Sequence, residues 1–176
     1  MLAIRGAKGV GKSTILRQYI RSHYQANDRS VLYCSLDNNY FADHSILDLA
    51  EGNTYAMQRI SHELFDEMAV NETADRQILT KAVNNIIEAE APRYARLLSH
   101  VPERQQSLLF AIAKEGRVQK IMSGAFLRKY HLSSSSAVQN AIKHLMEMDL
   151  VTQDDNKQFV VEDIFLRMYL NRISEK

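Results

Sequence analysis

Residues Gly6 to Ser13 read G-A-K-G-V-G-K-S and fit the pattern G-x-x-x-x-G-K-[ST]. Residues of these types at this spacing do chemistry on phosphates. Gly6, Gly9 and Gly11 let the backbone curl, so that successive N–H groups, those of Ala7, Lys8 and Val10 included, converge on one anion. Lys12 is placed to reach the β- and γ-phosphates, and the Ser13 hydroxyl to ligate Mg²⁺. Thr14 follows in the first turn of a helix whose dipole adds positive potential at the same point. The plainer alternative is a glycine-rich turn that joins a strand to a helix.

The flanking elements are those that such a loop requires. Leu2-Ala3-Ile4 suits a short buried strand, and Ser13 to Gln25 suits a helix with Leu16, Tyr19 and Ile20 on one face. After a polar break, Val31 to Leu36 reads as a second buried strand, parallel to the first through a right-handed crossover. Ligands in such sheets gather at the carboxyl ends of strands, which brings Asp37 near the loop. Asp37 there either touches Mg²⁺ through a water or simply ends the strand.

From Ser45 onward the pattern is helical. Ile46, Leu47 and Leu49 mark a short helix that ends at Gly52-Asn53, and Thr54 is the expected cap of the next, which carries Met57, Ile60, Leu64, Phe65 and Met68. A third shows Ile78, Leu79, Ala82, Val83, Ile86 and Ile87 and is expected to break at Pro92, with a short helix from Tyr94 to Leu98 beyond it. Residues 43–100 hold ten acids against five bases, which reads as a solvated outer face.

The last third has a different grammar. Pro102 opens a helix with Leu108, Leu109, Ile112 and Ala113 inward, stopped at Gly116. An extended piece from Val118 to Ile121 precedes a helix with Phe126, Leu127 and Tyr130. A polar turn at His131 to Ser134 leads into a helix with Val138, Ala141, Ile142, Leu145 and Met148. Leu150-Val151-Thr152 and Phe159-Val160-Val161 then read as a hairpin, and a helix with Ile164, Phe165, Met168 and Tyr169 closes the core. Three helices followed by a hairpin is the winged-helix plan. Its two uses stay open. In a DNA-binding version Ser133 to Gln139, Asn140, Lys143 and His144 face the major groove, with Arg128, Lys129 and Lys143 on phosphates. The acidic Asp154-Asp155 turn opposes that approach and favours a structural or protein-contact role.

Bulk composition bounds these readings. Across 176 residues the net charge is +1, with 45% hydrophobic and 24% charged residues, so a strongly basic nucleic-acid binder is excluded as a default. Residues 101–150 hold seven bases against four acids, a mild local bias. The single cysteine, Cys34, sits in an apolar run and reads as a buried thiol; one cysteine excludes an intrachain disulfide. The six histidines are scattered without a metal-binding pair, which leaves a metal hydrolase unsupported. No apolar run is long enough for a membrane span, and the first residues read as a loop-bearing strand rather than a signal peptide, so a cytoplasmic location is expected.

Three stretches together resemble a family. Leu2 through Leu16 with Val31 to Leu49, then Gly52-Asn53-Thr54-Tyr55-Ala56-Met57-Gln58, then Pro102 through Asp154, are similar to P-loop ATPases of the AAA/STAND group. In that group a nucleotide-binding core precedes a helical lid and a winged helix. The resemblance implies ATP and Mg²⁺ as ligands, with the Walker A loop at Gly6–Thr14. The expected fold is an α/β P-loop fragment with a short parallel sheet at 1–51, a helical lid at 52–100 and a winged helix at 101–176, predominantly α overall.

The chain departs from the family where Glu51 runs straight into Gly52: further core strands, with the acidic Walker B pair that holds Mg²⁺, are expected there. Neither Asp37 nor Glu162-Asp163 replaces it convincingly. Hydrolysis is therefore expected to be weak or absent. A two-stranded parallel sheet leaves a face to cover, so a homo-oligomer is a further expectation. Alternatives are a winged-helix DNA-binding or protein-interaction module with a vestigial loop, and, less well matched by the helical periodicity, a small metabolite kinase.

Overall fold

The computed structural model describes residues 46–67 and 76–175, with Gln18, Tyr19 and Ser22 besides. The loop at Gly6–Thr14, Asp37 and the expected parallel strands lie outside the described residues. The first described element, α1 (Ile46–Ala50), buries Ile46 and Ala50 and stops where Glu51 and Gly52 take positive φ. α2 (Thr54–Glu67) follows. Its cap is Asn53 rather than Thr54: the Asn53 side-chain oxygen accepts the Ala56 N–H at 3.0 Å, and Thr54 is already helical. Asparagine's longer reach from a bend residue makes it the better acceptor at that point. Ala56, Ile60 and Leu64 form the buried stripe of α2, with Met57 packed at its edge.

α3 (Arg76–Ser99) runs straight through Pro92, against the expected break and separate short helix. Proline removes one backbone donor and leaves the Glu88 carbonyl without its usual partner. Two features offset that cost. The buried stripe of Leu79, Ala82, Ile86, Tyr94 and Leu98 keeps helical spacing on both sides of Pro92. At the far end, the Gln106 side-chain amide donates to the Leu98 and Val101 carbonyls at 2.9 and 2.8 Å, adding to the Val101 N–H that already reaches the Leu98 carbonyl at 3.0 Å.

The remaining elements form the expected winged helix: α4 (Glu103–Glu115), α5 (Gly124–Lys129), α6 (Ser135–Glu147), β1 (Val151–Gln153), β2 (Phe159–Val161) and α7 (Ile164–Ser174). β1 and β2 are antiparallel, with Val151 opposite Val161 and Gln153 opposite Phe159. Val118 adds one bridge to Phe159, so the extended piece after α4 pairs at a single residue. Caps start the helices where the sequence supplies small oxygen-bearing side chains. Ser123 accepts from Phe126 N–H, Ser134 from Ala137 N–H, and Asp163 from Phe165 and Leu166 N–H.

Three helices end in left-handed residues: Gly116 at φ 76°, His131 at 52° and Asp149 at 55°. After α6, Leu150 N–H returns to the Leu145 carbonyl at 2.9 Å, a Schellman turn. That turn puts Leu150 into the core at 5% exposure and leaves Met148, expected inward, at 41%. Buried residues from α1 through α7 form one continuous cluster; Ile60, Ile86, Leu108, Leu145 and Leu170 are fully enclosed.

Candidate functional site

Two surfaces of the described chain gather the residues that carry charge and hydrogen-bonding capacity. The first lies between the helices before Ser99 and the winged helix after it. Glu51, left pointing outward by the bend after α1, accepts from the Arg117 guanidinium at 3.2 Å and from that of Arg167. Arg117 also donates to Asp154 at 2.6 Å. Four side chains from α1's end, the loop after α4, the hairpin turn and α7 are thus wired together. The Arg167 hydrogen bond, then its charge and that of Arg117, hold the Glu51 carboxyl below its usual value against a partial desolvation.

A second set joins α3 to α7. Asp163 accepts the Tyr94 hydroxyl at 2.9 Å and Arg93 at 3.0 Å while its other oxygen caps α7. Burial, and then the Asp163 charge, push the Tyr94 hydroxyl pKa well up. Arg172 reaches Glu88 at 2.8 Å. These contacts clamp the winged helix to the preceding helix through paired charges, as a partly exposed interface requires.

The second surface is the outer face of α6, where the sequence suggested DNA contact. Ser135, Ser136, Gln139, Asn140, Lys143 and His144 are exposed there, whereas Ser134 is occupied as the helix cap and Val138 is buried. Lys143 and His144 both lie near Glu147, at 3.8 and 3.4 Å. Lys129 is committed to Glu115 at 2.5 Å, and the same carboxylate takes the Tyr130 hydroxyl at 2.6 Å. The Lys129 hydrogen bond, followed by that from Tyr130, draws the Glu115 pKa down.

The hairpin turn is less acidic in effect than in sequence. One Asp154 oxygen accepts Asn156 and Gln158 N–H, both at 2.9 Å, and the other accepts Arg117. The Gln158 backbone bond is the largest cause that lowers the Asp154 pKa. Among the described residues, Asp155 at that tip has no such partner.

Among the described residues no group of three or more His, Cys, Asp or Glu side chains is placed to hold a metal ion. No helix among them is long and apolar enough to cross a membrane. The sequence reading missed Glu51, Arg117 and Arg167 as a unit, because pairings 66 and 116 residues apart leave no local periodic signal.

Two family models match the chain: an AAA domain over residues 1–98 and a winged helix domain over residues 92–172. They overlap inside α3, beginning at Pro92. No curated protein and no solved structure matches the chain.

Proposed function

The chain belongs to the AAA domain family, and from that premise we propose that it is an ATP-binding protein whose hydrolysis is weak or absent. The observation that carries this is the complete loop motif at Gly6–Ser13, inside the matched residues. The donor set fits a metal-bound polyphosphate: three glycines, the amides of Ala7, Lys8, Val10 and Thr14, one ammonium at Lys12 and one hydroxyl at Ser13. Lys12 would meet the terminal phosphates as a point charge; Ser13 would be the direct Mg²⁺ ligand, and Asp37 would contact the ion through water. Bound Mg²⁺ would supply charge neutralisation of the phosphates. Without an acidic pair after an apolar strand, the chain has no evident residue to orient an attacking water.

In this reading residues 1–51 form the nucleotide fragment, 52–100 the lid and 101–176 the winged helix. The test is calorimetric titration with Mg·ATP of the wild type and Lys12→Ala, with phosphate release followed in parallel. Saturable binding that Lys12→Ala abolishes supports the proposal; absence of binding to the wild type overturns it.

A second reading, a DNA- or protein-contact module, draws on the exposed Gln139, Asn140 and Lys143 of α6 and on the masking of Asp154 by Arg117. Loss of weak DNA retention on Lys143→Glu is its test. A homo-oligomer remains part of the leading proposal, to be read from light scattering at high concentration.

A further inference from the structure

A cleft of about 120 Å³ opens between the first turn of α4 and the turn that joins α5 to α6. Its floor is apolar, made by Leu132, Val138 and Ala141. Its polar lining residues are Arg104, Ser107, His131 and Ser133, all of which carry hydrogen-bonding side chains. No carboxylate lines it.

Three of these four polar residues are also uncommitted among the described residues. Arg117, Lys129, Arg167 and Arg172 all end on carboxylates, whereas the side chains of Arg104, His131 and Ser133 have no hydrogen-bond or ion-pair partner among the described residues. Ser107 donates to the Glu103 carbonyl at 3.0 Å, which leaves its lone pairs and a rotatable hydroxyl at the cleft. His131 occupies the left-handed position of the Schellman turn after α5, with Leu132 N–H on the Leu127 carbonyl at 2.9 Å. Glycine is the usual residue there, and histidine is among the other residues enriched at positive φ. His131 is thereby among the residues that line the concave surface.

We infer that this cleft is an anion site that takes a phosphoryl group, held by Arg104 and His131 with the Ser133 hydroxyl as a neutral donor. A guanidinium and an imidazole lining one cleft, with a free hydroxyl and no carboxylate in the lining, is the chemistry that recognises phosphate oxygens. Two sources share that chemistry: the backbone of a duplex lying along the adjacent exposed face of α6, or a free phosphorylated small molecule.

The experiment uses the full chain carrying Lys12→Ala, so that the N-terminal loop does not contribute. Inorganic phosphate is titrated at constant pH and ionic strength, against sodium chloride, while the His131 ring resonances are followed by NMR. A short DNA duplex is titrated by fluorescence anisotropy in parallel. The variants are Arg104→Gln and His131→Asn; asparagine tolerates the left-handed turn, and Arg104 is exposed, so both retain the fold.

A saturable His131 shift, weakened about tenfold by Arg104→Gln, supports the site. If duplex affinity falls as well, with a salt slope smaller by about 1, the source is nucleic-acid backbone. If phosphate binding responds and duplex binding does not, the source is a free phosphorylated ligand. A His131 ring that phosphate leaves unmoved, or moves equally in Arg104→Gln, overturns the inference. Because the reporter is His131, failure of ATP binding at Lys12 and failure of this site give separate signals.

Discussion

The carboxylate of Glu51 is bonded to the guanidinium of Arg167, 116 residues further along the chain. Glu51 lies within the AAA match and Arg167 within the winged-helix match, so this pair ties the two across their interface. Arg167 is only 12% exposed at its side chain and has little water to replace a lost partner.

Glu51→Gln is therefore expected to destabilise the chain by about 1–2 kcal/mol, since a half-buried guanidinium loses its countercharge. Arg117→Gln, at a more exposed position, costs less, about 0.5–1 kcal/mol. Urea unfolding of both variants, with m compared to the wild type, checks the order. Equal effects would mean that the Arg167 arm adds nothing.

Acid acts on the same link. The Glu51 carboxyl titrates below its ordinary value of 4.5 in the folded chain, so its stabilisation is complete above that value and is lost as pH falls through the folded pKa. The stability gap between wild type and Glu51→Gln is expected to be full at pH 6 and to narrow below about pH 4.5. Urea midpoints measured from pH 6 to pH 3 read that gap directly.

Asp163 serves two elements at once, as the cap of α7 and as acceptor for Tyr94. Tyr94→Phe removes one hydrogen bond at a residue 1% exposed and is expected to cost about 1–2 kcal/mol. Asp163→Ala loses the cap as well and costs about 2–3 kcal/mol. Thermal unfolding ranks the two; a larger effect from Tyr94→Phe would contradict the shared role.

His131→Gly is expected to raise stability by about 0.5–1 kcal/mol, because glycine enters the left-handed region without a Cβ penalty. The same change removes the ring from the anion cleft. A gain in unfolding midpoint together with loss of phosphate response is the expected pairing, measured on one sample.

Pro92→Ala restores the backbone donor missing from the middle of α3 and is expected to stabilise by about 1–2 kcal/mol. Unchanged stability would indicate that the Glu88 carbonyl is fully served by solvent.

The winged helix was legible in the sequence because its signals are local. Gly116 after an apolar stripe, serines at 123 and 134 before one, and β-branched residues flanking Asp154-Asp155-Asn156 each report on their own few residues. Pro92 misled for the same reason: its local cost is real, but Tyr94 stacks on Tyr169 and bonds Asp163, and the Leu98 carbonyl takes the Gln106 amide, contacts that no window around position 92 contains. Asn53 and Thr54 are both good caps, and only the bend at Glu51-Gly52 decides between them. The cleft was not legible. Arg104 and Ser107 lie on one helix and His131 and Ser133 on a turn, and nothing short of the packed fold brings them together. The nucleotide loop is the reverse case, a motif so compact that eight residues state it whole.

The continuity of α3 has a mechanical meaning. At 1.5 Å per residue its 24 residues make a shaft about 36 Å long, with α2 packed along one end and α7 along the other. One helix therefore spans the boundary between the two family matches, packed by α2 toward its start and holding Asp163 through Arg93 and Tyr94 toward its end.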